Sequence, residues 1–471
     1  VTPGCAAVTP GCAAGHPATA AAGAEILADG GSAADAAVAA GLASCVAETV
    51  MTGLLGGGHA IYLDAASGTA RNLDCFCAAP GLGAPAREAE LLRLEVPFGE
   101  ELVHYAVGPA SCAVPGVPAG LAELWRAHGR LPWRRLVEPA LRIARGGVPM
   151  PPAHVACLRM LEPVMTMREG ARIYAPGGAL LEPGDVLEQP GLVAALESLA
   201  DEGGAGAYSG TIGESLLALC AERGGLVTRD DLDAYAPRWH EPVETSWLGL
   251  RFLGRGGLSG VPEALARLQP LRGLAPPERL LALVAALDGG AGPETHTTNL
   301  VTVDREGNAC VLTTSLGLGS GDWLPGLDLH LNSMLGEVDL LTKPLEPGDR
   351  MQSMMAPSLA LDREGLALAI GAAGGTRLRT ALVGVAAAIL DEGVDPQAAV
   401  ERPRVHPAGD VLNAEPGADE EGLAALEASG RTVRRWAERH HYFGGVSSIG
   451  RTGAAADPRR SGAVAPAPVG A

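Results

Sequence analysis

The chain has 471 residues, of which 47% are hydrophobic and only 3% aromatic, so Leu, Val and Ala must fill whatever core it builds. It carries 54 acidic against 35 basic residues, a formal charge of −19. So acidic a surface repels phosphate backbones and excludes nucleic-acid binding as the main activity. The length suits one large domain with two stacked sheets, or two smaller domains. No run of about 18 apolar residues is free of Gly, Pro or charge, and no charged segment followed by an apolar core opens the chain. A cytoplasmic protein without a membrane span is expected. Nine cysteines are present, an odd number with no CxxC pair; Cys75 and Cys77 flank a single residue and gain no His or Cys partners. They read as free thiols in a reducing compartment, with no metal set.

In chain order, the heptapeptide VTPGCAA at residues 1–7 recurs at 8–14, a local duplication of which one copy reads as dispensable. A helical pattern starts after His16 and stops at Gly30-Gly31; Ser32 then caps a second, Ala-rich helix reaching about Cys45. The glycine run from Gly53 to Gly58 lacks the Lys-Ser/Thr ending of a phosphate loop and reads as a place of close backbone packing. Two strands follow, joined at Ala66-Ser67-Gly68. Helical patterns dominate residues 117–156 and 190–222. Asp230, Asp231 and Asp233 lack calcium-loop spacing and read as a helix start. His16, His59, His104, His440 and His441 are scattered on unrelated elements and read as core or surface residues, not metal ligands. Residues 251–291, rich in Leu, Pro and Gly, show no assignable period.

The character then changes. Residues 297–303 alternate as a strand, 304–308 form a hairpin turn, and 309–316 form a second strand. A further strand pair at 358–361 and 367–371 turns through 362–365, and a helix is predicted over 378–392. Strands followed by helices in both halves indicate sheets covered by helices, not a doubly wound parallel sheet.

Thr297 sits at that change, after a segment containing Pro and Gly. A hydroxyl needs an adjacent base to act as a nucleophile at neutral pH. Cleavage of the bond before Thr297 would free an α-amine with a pKa of about 8 beside its own Oγ1, so that one residue supplies both groups.

The motifs around it resemble those of the γ-glutamyltranspeptidase family. TTNLVTVD (297–304) followed by GNA (307–309) is similar to the family's nucleophile strand and hairpin. RMQSMMAP (350–357) and GAAGGTR (371–377) resemble its later blocks. On the N-terminal side, GGSAADAA (30–37), the glycine run, VPGVPAG (114–120), LVEPALRIARGG (136–147) and GGLVTRDDLDAY (224–235) match in order, as does the late DPRRSG (457–462). The resemblance spans about His16 to Ala463.

It implies an α+β fold, a four-layer αββα sandwich of the N-terminal nucleophile hydrolase type, and an inactive precursor that cleaves itself. The scissile bond would be His296–Thr297, giving a large subunit 1–296 and a small subunit 297–471 held together as a heterodimer, with further pairing left open. Thr297 would be the nucleophile, the amides of Gly374 and Gly375 the oxyanion hole, and Ser315 a second hydroxyl near the α-amine. Removing one oxyanion donor typically costs ~3 kcal/mol of transition-state stabilisation. No cofactor or metal is implied.

The substrate contacts depart from the family. Where its members hold a carboxylate with arginine, this chain has DCFCAAP (74–80), with Phe76 in that place, and a phenyl ring cannot replace a guanidinium clamp. Of a serine pair, Ser353 remains and Met354 takes the second position. The family's amine-binding positions fall on Gly317 and Gly336, with Glu337 next to the latter. Phe76, Ser353, Met354, Glu337 and Asn332 are therefore the candidate substrate contacts. They point to a small-molecule amide with an apolar acyl group in place of a γ-glutamyl one. Three alternatives stay open: Arg377 or Arg350 supplies the missing cation, the acyl-enzyme serves a different leaving group (including an enolate from a C–C bond), or the chain is an inactive binding homologue.

Overall fold

The computed structural model describes residues 8–85, 90–98, 101–288, 297–337 and 340–467. Thirteen strands build its two large sheets. They are β1 (Gly11–Ala14), β2 (Gly57–Asp64), β3 (Thr69–Cys75), β4 (Arg238–His240), β5 (Val243–Trp247), β6 (Leu250–Gly254), β7 (Thr298–Val303), β8 (Ala309–Ser315), β9 (Ser358–Asp362), β10 (Gly365–Ala373), β11 (Gly445–Gly450), β12 (Gly453–Ala456) and β13 (Ala463–Pro466). The first sheet has the order β13-β1-β7-β8-β2-β3-β4 and the second β12-β11-β10-β9-β6-β5. Every adjacent pair in both is antiparallel.

Strict alternation along the strands creates the layers. Val301 and Val303 of β7, Val311 of β8 and Ile61 and Leu63 of β2 meet Leu359, Ala369 and Ile449 of the second sheet in a core between the sheets. The alternate residues Leu300, Leu312, Ala60 and Tyr62 face the other way, onto helices. Those helices are α1 (Pro17–Ala28), α2 (Ala33–Ala47), α3 (Val117–His128), α4 (Trp133–Gly146) and α5 (Pro190–Glu202). On the far side, α6 (Val261–Arg267), α7 (Pro276–Leu287), α8 (Arg377–Leu390) and α9 (Pro396–Glu401) pack on Phe252, Ala360, Leu368, Ile370 and Val446 of the second sheet. The result is the expected αββα sandwich.

Helix α2 is buried along its whole length. Its N-terminus is closed by a capping box between Ser32 and Asp35. Asp35 also accepts from the amides of Arg130 at 2.8 Å and Leu131 at 3.3 Å, tying the α3–α4 connection to the same cap. The glycine run packs as its composition suggests: a Cβ at Gly58 would meet the Thr313 carbonyl at 2.7 Å, and one at Gly57 the Cys77 amide at 2.7 Å.

The second heptapeptide copy is built into the fold, since its GCAA is β1, paired with β13 on one side and β7 on the other; the first copy lies outside the described residues. The unassigned stretch after residue 250 contains β6, α6 and α7. The eight described cysteines are buried and form no disulfide with one another, and Cys5 lies outside the described residues. Among the described residues no helix is long and apolar enough to cross a membrane, and no group of His, Cys, Asp or Glu could hold a metal ion.

Candidate active site

Thr297 stands at the head of β7, between β1 and β8, and is 1% exposed. The amide of Gly374 donates to its Oγ1 at 3.0 Å. Gly374 follows directly on β10 and has φ +123°; Gly375 has φ +59°. Only glycine holds the first of these conformations without strain, and a Cβ there would also meet Gly444 Cα at 2.8 Å. The turn is anchored from behind by α8, whose Arg377 amide bonds back to the Gly374 carbonyl at 3.1 Å.

A narrow cleft opens from Thr297, lined by Phe76, Ser315, Met334, Glu337, Leu340, Ser353, Met354, Met355, Gly375 and Leu378. Its free space is about 10 Å³, room for one water. Unbranched, polarisable methionine side chains adapt readily to a guest, so this cleft is closed by groups that can move. Phe76, Met334, Met351, Met354 and Met355 form one apolar cluster. Phe76 is held by its amide bonding Asp74 at 2.9 Å and by stacking on His59, with ring centroids 5.5 Å apart.

The structure thus gathers Thr297, Ser315, Gly374, Gly375, Phe76, Ser353, Met354 and Glu337 in one place. Ser315 ends β8 and accepts from the Gly317 amide at 2.9 Å, while Ser353 accepts from the Met355 amide at 3.2 Å. Asn332 is placed elsewhere. Its side chain is fully buried and spends its amide on the carbonyls of Leu55 and Ala113, both at 2.8 Å, while its oxygen accepts from the Ala113 amide at 3.0 Å. It braces the loops behind the cleft and does not line it. His296 lies outside the described residues.

Neither candidate arginine is among the described residues that line the cleft. Arg350 donates to the carbonyls of Phe76 and Ala236 and to the Tyr235 hydroxyl, and lies 4.5 Å over the Tyr235 ring. Arg377 donates to the Tyr442 carbonyl at 3.0 Å and lies 4.8 Å over the Tyr442 ring.

One group was not foreseen from the sequence. Glu48, just past the end of α2 and 1% exposed, accepts from Thr19 Oγ1 at 2.7 Å and from Thr298 Oγ1, the hydroxyl of the residue after Thr297. Burial pushes its carboxyl up to about 7, against the lowering pull of the two hydroxyls and the Arg460 guanidinium. Gly15 leaves the space for it, since a Cβ there would lie 2.5 Å from Glu48 Oε2 and 2.9 Å from Thr298 Oγ1. The available signal was a second acid, after Asp35, at the end of an Ala-rich helix with no basic residue, which is tolerable in a buried place only when hydrogen-bonded.

Two stacked antiparallel sheets between helix layers, with a hydroxyl at the head of a central strand facing a glycine amide, define the N-terminal nucleophile hydrolase class. The sequence profile described as Gamma-glutamyltranspeptidase matches residues 19–279 and 284–467. The chain belongs to the γ-glutamyltranspeptidase family. It is 30% identical to the Acylase ACY 1 proenzyme of Pseudomonas sp. (strain SE83), over 88% of this chain and 85% of the relative. It is 27% identical to the Glutathione hydrolase proenzyme 1 of Schizosaccharomyces pombe, over 87% and 76%. The crystal structure of cephalosporin acylase from Bacillus halodurans superposes with a TM-score of 0.81 at 24% identity, over 99% of this chain and 97% of that one, a likeness of fold. Family members are amide-cleaving enzymes processed into large and small subunits.

Proposed function

We propose that this chain is a self-processing amide hydrolase or acyltransferase that forms an acyl ester on Thr297 and prefers an apolar acyl group. The observation that carries the reading is the Gly374 amide directed at Thr297 Oγ1, at the end of a cleft walled by Phe76 and methionines. In the precursor, Oγ1 adds to the carbonyl carbon of His296. The C–N bond breaks to leave an ester and a free α-amine, and water hydrolyses the ester, giving subunits 1–296 and 297–471.

In turnover the α-amine takes the Oγ1 proton as the oxygen attacks the substrate carbonyl. The developing oxyanion sits within reach of the Gly374 and Gly375 amides. Collapse expels the amine of the substrate, which leaves with the proton held by the α-ammonium. Water, or a second amine, then attacks the Thr297 ester, completing hydrolysis or transfer. Ser315, which lines the same cleft, orients the amine and nucleophile in this reading. Poor acceptance of γ-glutamyl donors is predicted, because the cleft offers their carboxylate Glu337 and apolar walls but no arginine or lysine among its described lining residues.

A panel of chromogenic anilides tests this preference. Butyryl to octanoyl anilides are expected to be released at least about tenfold faster, as kcat/KM, than the γ-glutamyl anilide. Faster release from the γ-glutamyl compound by fully processed protein overturns the apolar preference.

A further inference from the structure

A second cavity, outside the cleft, opens between α7, α8, α9 and the residues leading into the helix Glu420–Ala428. Its volume is about 170 Å³, and an apolar cavity of about 150 Å³ takes a benzene-sized guest. Leu280, Leu283, Val385 and Val405 supply apolar walls. On its rim, Arg279 and Arg402 share a single carboxylate, Glu392, at 3.2 Å and 2.7 Å. Arg404 completes the lining; it is 7% exposed, and its Nε–H has no acceptor among the described residues. Arg404 is ion-paired with Asp457, so the positive charge facing a guest is that of Arg279 and Arg402, which have the single carboxylate Glu392 between them.

Gly384 of α8 points independently to the same space. Interior helix glycines lower stability and usually have a packing reason. Gly23, Gly41 and Gly120 have one, since a Cβ at each would meet a neighbour within 3.0 Å. Gly384 has none: its Cβ would find only Leu283 Cδ2, at an ordinary 3.8 Å. The missing side chain keeps the cavity open.

We propose that this cavity is a binding site for a small amphipathic carboxylate, its benzene-sized body between α7 and α8 and its anionic head on Arg279 and Arg402. It lies on the helix that begins beside Gly374 and Gly375, with Leu378 lining the cleft and Thr380, Ala381, Gly384 and Val385 the second cavity.

Calorimetric titration of the purified protein with benzoate, with benzamide as the uncharged isostere, tests the proposal. Benzoate is expected to saturate and to bind at least about fivefold more tightly than benzamide. Gly384→Leu, which fills the space without a backbone clash, is expected to weaken benzoate at least about tenfold. Arg402→Gln is expected to reduce benzoate to the affinity of benzamide. Photolabelling of the unsubstituted protein with 4-azidobenzoate, followed by peptide mapping, keeps the test independent of how the variants fold: label is expected between residues 276–287 or 380–385. Absence of saturation, equal affinity for the two compounds, undiminished binding by a folded Gly384→Leu protein, or label confined to the Thr297 cleft each overturns it. Because the readout is binding, failure here is distinct from failure of the acyl-threonine reading.

Discussion

Gly374 combines a φ of +123° with a neighbour 2.8 Å from where a Cβ would stand. Gly374→Ala must therefore rotate the amide away from Thr297 Oγ1, and loss of one oxyanion donor predicts a fall in kcat of about 10²–10³. A rate within about threefold of the parent, measured on a good anilide substrate, removes this amide from the mechanism. Met354 acts on selectivity instead. Met354→Ala enlarges the cleft, and the ratio of kcat/KM for a donor two methylenes longer than the parent's best over that best donor is predicted to rise about tenfold. An unchanged ratio places the acyl chain elsewhere.

Glu48 gives a pH signature. With its folded value raised to about 7, the native state keeps a proton that the unfolded chain has lost, so its contribution to stability is full below about pH 4.5 and disappears as pH rises through 7. Buried His16, lowered by burial to about 4, works in the opposite sense below pH 6.5, so only a comparison isolates Glu48. Denaturant unfolding at pH 5 and pH 8 is predicted to show a larger loss of stability with rising pH in the parent than in Glu48→Gln. Parallel losses refute the assignment.

Among the elements, α2 shows how a cap fixes the layer over the first sheet. Asp35 is fully buried and collects the amides of Ser32, Arg130 and Leu131. Asp35→Ala strands these donors and is predicted to destabilise the fold by about 3 kcal/mol; a change below about 1 kcal/mol on denaturant titration shows that the cap is replaceable. The hairpin β7–β8 was legible in the sequence because apolar and polar faces alternate across a plain turn, and Ser32 announced its helix through its side-chain chemistry. The helix expected over 378–392 is Arg377–Leu390. Strands β5 and β6 were not legible: β5 is mostly exposed at an edge, while the last three residues of β6 are all buried, so neither alternates. Helix α7 opens with two prolines, which hide its start behind a turn signal. In the cleft, Thr297, Gly374 and Gly375 could be read from motif order. Met334, Met355, Leu340 and Leu378 could not, because only folding brings distant apolar residues to one wall.

Over the whole molecule, the strands before and after Thr297 are interleaved. In the first sheet β7, β8 and β13 sit among β1, β2, β3 and β4; in the second, β9 to β12 continue β5 and β6. A break before Thr297 therefore leaves two chains that share both sheets and the core between them. They are predicted to co-elute as one species on size exclusion and to part only in denaturant; separation in native buffer contradicts that interleaving. Intact mass with N-terminal sequencing of the purified protein decides whether the backbone breaks before Thr297. Two polypeptides are expected, the smaller beginning at Thr297 with Thr-Thr-Asn, and a single uncleaved chain for Thr297→Ala. A single full-length chain that still turns over amide substrate contradicts it.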